Sequence, residues 1–385
     1  STFFIWVFFG GIDVVSHGLF AALSVLVVAC PCVVGLATPV ALAAGLNKAA
    51  RNHILIRDTS ALEQMRNVDV VVFDKTGTLT EGHPTVIGWL WAQGQEEHYK
   101  DVLLAAESTS DHPLAEAIVT ALEGEEQVIP AHLDGFENIT GKGVRVAYQG
   151  AEYWVGSHKL LKDYQANLSD ILADMLTQYE SDGNSIVYFG RENDLLAVIA
   201  IKDQLRVTSM EAIRELRIQD IEICMLTGDG ERTASSVAGS LGIMRFVADA
   251  MPDDKEDFIH KLQLQGKTVA MVGDGVNDAQ ALSCADVSIA MGKGTDTLMD
   301  TAMITLRTSD LLLLPKVFRL SRQTVSLMYR NLFWAFIYNT VGIFVAAGVL
   351  YPVYDILLSP ALAGAAMALS CVSVALSSLR LSSRF

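Results

Sequence analysis

Basic residues are scarce in this 385-residue chain: 28 Lys and Arg stand against 44 Asp and Glu, a formal charge of −16. A nucleic-acid binder needs a basic footprint on phosphates, so the balance argues against that class. It suits acidic domains that hold magnesium and a nucleotide. Cysteine is sparse as well, five in all. That odd count, with two of them one residue apart in an apolar run, is no disulfide scaffold. Charged residues make up only 19% against 51% hydrophobic, too oily for an all-soluble protein, yet the middle of the chain is too polar for an all-membrane one. No internal repeat or low-complexity tract is present. Ser1 is followed at once by apolar residues without a charged leader, which does not read as a signal peptide. The expectation is a chain that begins inside a membrane helix, as a fragment.

Hydropathy divides the chain into three blocks. Residues 18–46 are nearly free of charge and long enough to cross a bilayer, and 332–350 and 360–379 are two further candidate spans. Lys48, Arg51 and Arg57 follow the first span, Lys316, Arg319, Arg322 and Arg330 precede the second, and Arg380 and Arg384 follow the third. The loop 351–359 carries no Lys or Arg, so the middle block is expected in the cytosol of a multi-pass membrane protein. Inside it, the apolar runs 68–73, 221–226, 268–272 and 287–290 read as buried strands. Each precedes a Gly/Asp-rich turn and a helical pattern. This predicts a doubly wound parallel α/β sheet with its ligands at the carboxyl ends of the strands. Residues 83–201, with strands at 144–148, 186–189 and 195–201, read as an inserted α+β domain. The expected division is therefore 1–50 membrane helices, 51–82 and 202–315 the two parts of the parallel-sheet domain, 83–201 the insert, and 316–385 two carboxyl-terminal membrane helices.

At the end of the first of these strands stands Asp74-Lys75-Thr76-Gly77-Thr78. A carboxylate there, beside the amides of a tight Gly turn, can attack phosphorus while the amides hold the phosphoryl oxygens. An isolated Asp-x-Thr would read as a capping residue. Here Thr227-Gly228-Asp229 and Gly273-Asp274-Gly275-Val276-Asn277-Asp278 follow two more strands, with Lys255 between them. Together they supply a nucleophile, a hydroxyl, a cation for phosphate charge, and carboxylates for a hard magnesium ion. In the first span, Cys30-Pro31-Cys32 places two thiols at i and i+2, nearly opposite on a regular helix. Pro31 breaks the helix locally, so both sulfurs can approach one point, and soft thiolates select soft ions such as monovalent copper.

Asp74-Lys-Thr-Gly-Thr, with the downstream Thr-Gly-Asp and Gly-Asp-Gly-x-Asn-Asp, resembles the phosphorylation domain of P-type ATPases in the haloacid-dehalogenase superfamily. Cys-Pro-Cys extends the likeness to their heavy-metal branch. The resemblance implies phosphorylation of Asp74, magnesium on Asp74, Asp274 and the Thr76 carbonyl, phosphate contacts from Thr227, Lys255 and Asn277, and support from Asp278, with Asp229 beside the nucleotide. Asp203-Gln-Leu-Arg206 resembles the hinge of return to this domain. In the insert, Ser110-Asp111-His112-Pro113 resembles the branch's Ser-Glu-His-Pro, Gly141-Lys142-Gly143 its Gly-x-Gly turn, and Glu107 and Gly156 its adenine contacts, so ATP is the implied nucleotide. Gly135 to Lys142 imitates a P-loop but lacks the spacing and the final Ser/Thr. Tyr338, Asn339 and Met367 match the metal positions of copper exporters, while Cys371 replaces a usual Ser. No Thr-Gly-Glu occurs, so the actuator domain is expected to be missing. The implied function is ATP-driven export of monovalent copper or silver, delivered by a copper chaperone, with membrane lipid around the spans and no nucleic acid. A zinc or cadmium exporter would carry Lys and Asp in the later spans. A membrane-anchored phosphatase of the superfamily would place a second Asp where Thr76 stands. A non-enzymatic metal-binding membrane protein would not need the phosphorylation motifs.

Overall fold

The computed structural model describes residues 2–10, 15–30, 32–92, 96–110, 112–125, 128–166, 170–274, 278–292 and 302–383. Pro31, Asp111, Asn277 and Arg384, named above, lie outside the described residues, as does the side chain of Cys32. The chain divides into two units: Ser1–Arg66 with Lys316–Phe385, and Asn67–Pro315.

In the larger unit Val70–Asp74, Glu222–Leu226, Val269–Gly273 and Val287–Met291 are strands. They run parallel, with neighbours in the order Ile304–Leu306, Val287–Met291, Val269–Gly273, Val70–Asp74, Glu222–Leu226, Arg245–Val247. Parallel strands are covered on both faces, which is why their sequences are continuous apolar runs rather than alternating ones. Phe73 lies opposite both Val272 and Met225, and Asp74 opposite Leu226. The turns after three adjacent strands thus emerge at one edge of the sheet, where such sheets bind ligands.

The insert forms a separate antiparallel sheet in the order Thr85–Trp91, Asp194–Lys202, Ser185–Arg191, Ala151–Gly156, Gly143–Tyr148, Gly135–Ile139. Phe189, Ile118 and Ile199 fill the core on one side, and Trp154, Tyr188, Leu160 and Val198 another. The strand Asp194–Lys202 is buried throughout its interior, which made it legible as one apolar run. The edge strand Gly135–Ile139 is mostly exposed and has no such signature.

In the helical unit one helix ends at Val28 and the next begins at Cys32, the interruption expected around the Cys-Pro-Cys sequence. Two stretches, Val15–Arg51 and Pro360–Leu381, are long and apolar enough to cross a membrane. Of the expected span 332–350, residues 332–346 form the distal part of the helix Leu313–Ala346. That helix ends at Ala346, so a span-length window inside it must take in Arg330 and Asn331. The packing of this unit uses small residues: Ala21, Ser24, Ala37, Ala41, Ala335, Ala346 and Ala363 are fully or almost fully buried, while Phe4, Leu26, Phe336 and Leu369 are 67–74% exposed. A Cβ at Gly45 would stand 2.6 Å from Thr324 Oγ1. Helices in lipid associate through such close small-residue contacts, because large apolar groups gain nothing by leaving the lipid.

Candidate active site

Asp74 closes its strand and is 6% exposed. Its Oδ2 accepts from the Thr76 amide at 3.1 Å, and its Oδ1 from Lys255 Nζ at 2.6 Å. The same ammonium donates to Asp278 Oδ1 at 2.7 Å. Lys255 comes from the first turn of the helix Pro252–Leu264, and Asp278 immediately precedes the helix Ala279–Cys284. Oxygens of Asp74, Asp274 and Asp278 all lie within 4.8 Å of one another. Asp274 approaches the turn so closely that a Cβ at Gly77, whose φ is +69°, would stand 1.5 Å from its Oδ2. Only glycine fits there.

Buried Asp74 and Asp278 share Lys255, with half-buried Asp274 beside them. Burial first, and the Asp74 charge second, push Asp274 and Asp278 each up to about 7. Burial opposes the charge on Lys255, but Asp74 and Asp278 outweigh it and raise its pKa. The donor set is all oxygen, which a hard divalent cation accepts. Asp74 and Asp274 therefore fit magnesium, which when bound would neutralise charge on a phosphoryl group.

The turn after Asp74 is clasped by the segment that returns from the insert. Arg206 Nε donates to the Thr78 carbonyl at 3.0 Å, and its Nη2 donates to that of Gly77. Asp203 accepts from Thr80 Oγ1 at 2.5 Å and from the Gly82 amide at 3.1 Å. This clasp was not legible in the sequence beyond the likeness to a hinge. A second network was missed entirely. Lys75 pairs with Asp229 and donates to Ser185 Oγ of the insert at 3.1 Å. Thr227 Oγ1 in turn donates to Asp229 Oδ2 at 3.1 Å. Burial alone would raise the Asp229 pKa, but the Lys75 charge holds it below the usual carboxylate value. Ser185 follows a Gly-Asn turn and carries no motif that could have marked it.

In the insert, Gly143 and Gly156 are partners across adjacent strands, and Gly141 stands in the turn before them. Glu107 ends the helix Glu96–Glu107 and is 6% exposed. Its carboxylate has no hydrogen bond or ion pair among the described residues, and burial pushes it up to about 7. His112 Nδ1 accepts from the Leu114 amide at 3.2 Å and so caps the helix Pro113–Glu123.

In the helical unit Met367 and Cys371 pack on Val33, Ala37, Ala335 and Val374, beside the helix that begins at Cys32. Asn339 Oδ1 is buried without a hydrogen-bond partner. Tyr338 is 45% exposed and stacks on Trp334, with ring centroids 5.6 Å apart. Cys30 is exposed at the helix break.

Residues 68–286 match the family described as haloacid dehalogenase-like hydrolase. A copper-exporting P-type ATPase of Legionella pneumophila is 43% identical over 380 residues, covering 99% of this chain and 51% of that protein. A silver-exporting P-type ATPase of Salmonella typhimurium is 44% identical over 384 residues, covering 99% and 46%. The chain thus spans about half the length of these relatives. Among solved structures, a zinc-transporting PIB-type ATPase in its E2.Pi state superposes with a TM-score of 0.67 at 33% identity, covering 95% of this chain and 58% of that one. The catalytic domain of the CPx-ATPase CopB-B, from a study of nucleotide binding, superposes at 0.59 and 28% identity, covering 71% and 97%.

Proposed function

We propose, since this chain belongs to the haloacid dehalogenase-like hydrolase family, that it forms the phosphorylation, nucleotide and metal-path portion of a P-type ATPase exporting monovalent copper or silver. The observation that carries the reading is Asp74 at a strand end, held by Lys255 and the Thr76 amide, with Asp274 and Asp278 alongside.

ATP would lie on the insert near Glu107, His112, Gly141, Gly143 and Gly156, with its γ-phosphate at the sheet edge. A carboxylate oxygen of Asp74 attacks the γ-phosphorus; the new O–P bond forms as the bond to the β-phosphate oxygen breaks, and ADP leaves with that electron pair. Lys255, Thr227 and Asn277 hold the transferred group, which has little other chemistry to be done for it. Asp278 keeps Lys255 charged and in place. Asp229, neutralised by Lys75, orients Thr227.

The copper reading rests on the donor set. Zinc favours four ligands drawn from thiolate, imidazole and carboxylate. The later helices offer a thioether (Met367), a thiol (Cys371), an amide (Asn339) and a phenol (Tyr338), with no His, Asp or Glu. Soft sulfur at low coordination number suits monovalent copper. Cys30 and Cys32 would complete the site, and the catalytic unit would face the cytosol, where a copper chaperone delivers the ion. The test is metal-stimulated ATP hydrolysis by the full-length parent under reducing conditions. Copper or silver should stimulate it, and Cys30→Ser or Cys32→Ser should abolish the effect. Equal stimulation by zinc would overturn the choice of metal and leave the pump standing.

A further inference from the structure

Away from the phosphorylation site, Glu256 and His260 lie one turn apart on the helix Pro252–Leu264, and Cys284 ends the helix Ala279–Cys284 packed beside it. One ligand atom from each, a carboxylate oxygen, an imidazole nitrogen and a sulfur, lies within 4.8 Å of the others. His260 Nε2 stands 3.5 Å from Glu256 Oε1. Around zinc, with ligand bonds of roughly 2.0–2.3 Å, tetrahedral ligand atoms stand roughly 3.3–3.8 Å apart. The imidazole–carboxylate pair already meets that spacing, and the sulfur needs at most a side-chain adjustment.

A second observation concerns the orientation of the ligands. Gln263 Oε1 lies 3.2 Å from His260 Nδ1, and Gln263 Nε2 donates to the Cys284 carbonyl at 2.9 Å. One amide therefore touches both helices. In the tautomer whose Nδ1–H donates to this oxygen, the lone pair lies at Nε2, on the side of Glu256. Metal-bound histidines are held by such a partner on the other ring nitrogen.

We propose that Glu256, His260 and Cys284 form a binding site for a zinc-class divalent cation, separate from the transport path and from the magnesium site. Mixed thiolate, imidazole and carboxylate donors are the zinc set, and the carboxylate disfavours monovalent copper. His260 is half exposed, so the ion enters from solvent, and the Cys284 proton leaves to water on binding. The bound ion ties together the two helices whose amino-terminal ends supply Lys255 and Asp278.

The test uses the full chain in detergent, with Cys30 and Cys32 replaced by serine to silence those thiols and magnesium in excess to saturate the oxygen site. Cobalt(II) titration should give one equivalent with a sulfur-to-cobalt charge-transfer band, and zinc should displace it. Cys284→Ser should remove the band. His260→Ala, at a half-exposed position that tolerates truncation, should weaken binding at least tenfold, and Gln263→Ala by roughly tenfold as an orienting partner. No band in the parent, or a band that survives both Cys284→Ser and His260→Ala, would overturn the site.

Discussion

Phe189 of the insert is fully buried between Trp91 and Tyr153, whereas Phe336 of the helical unit is 67% exposed. The contrast extends through both units. The larger one buries aromatic and branched side chains together with ionisable groups, among them Asp74, Lys75, Glu107, Arg206, Lys255 and Asp278. The helical one also buries Leu62, Met65 and Phe318, but elsewhere its helices bury alanine, serine and glycine contacts and turn residues such as Phe4, Leu26, Phe336 and Leu369 outward. Hydrophobic residues thus mark an interior in water and an exterior in lipid. In the larger unit Asp74, Lys255 and Asp278 are buried as a mutually paired group.

Removing a buried charge should have the largest effect. Asp74→Asn keeps the shape of the side chain but not the nucleophile, so the full-length protein should form no acid-stable, hydroxylamine-sensitive phosphoenzyme from labelled ATP. Undiminished labelling would remove Asp74 from its role.

Removing a buried ring comes next. Phe189→Ala should cost about 3–5 kcal/mol in denaturant unfolding of the larger unit; a cost below 1 kcal/mol would mean that the insert's core is not packed as described.

A pH titration sharpens the same contrast. Burial raises Glu107 to about 7 in the folded state, above its ordinary 4.5. The folded chain then holds a proton that the unfolded chain releases, so stability falls as pH rises from about 4.5 to about 7. The span corresponds to a loss on the order of 3 kcal/mol. Asp274 and Asp278 shift in the same direction and add to the slope. Glu107→Gln should flatten the Glu107 contribution, and an unchanged slope in urea melts across this range would refute it.

The smallest effect is expected on the outward face. Phe336→Ala should change thermal unfolding in detergent by no more than about 0.5 kcal/mol; a loss equal to that of Phe189→Ala would show a buried ring instead.

The parallel strands were legible because burial on both faces leaves an unbroken apolar run, and the acid-bearing turns because each follows such a run. The edge strand Gly135–Ile139 was not, since exposure leaves it no pattern. Hydropathy also does not mark where a helix ends: the expected 332–350 runs past Ala346, the last residue of its helix.

By itself the sequence determined the sheet class, the nucleophile candidate Asp74, and the carboxylates and lysine around it, because backbone period and residue chemistry are local properties. Only the tertiary structure decided which groups meet. Lys255 reaches Asp74 across 181 positions of chain, Ser185 reaches Lys75 across 110, and Arg206 reaches the carbonyl of Gly77 across 129. Such pairings depend on strand order and helix packing, which no short window of residues contains.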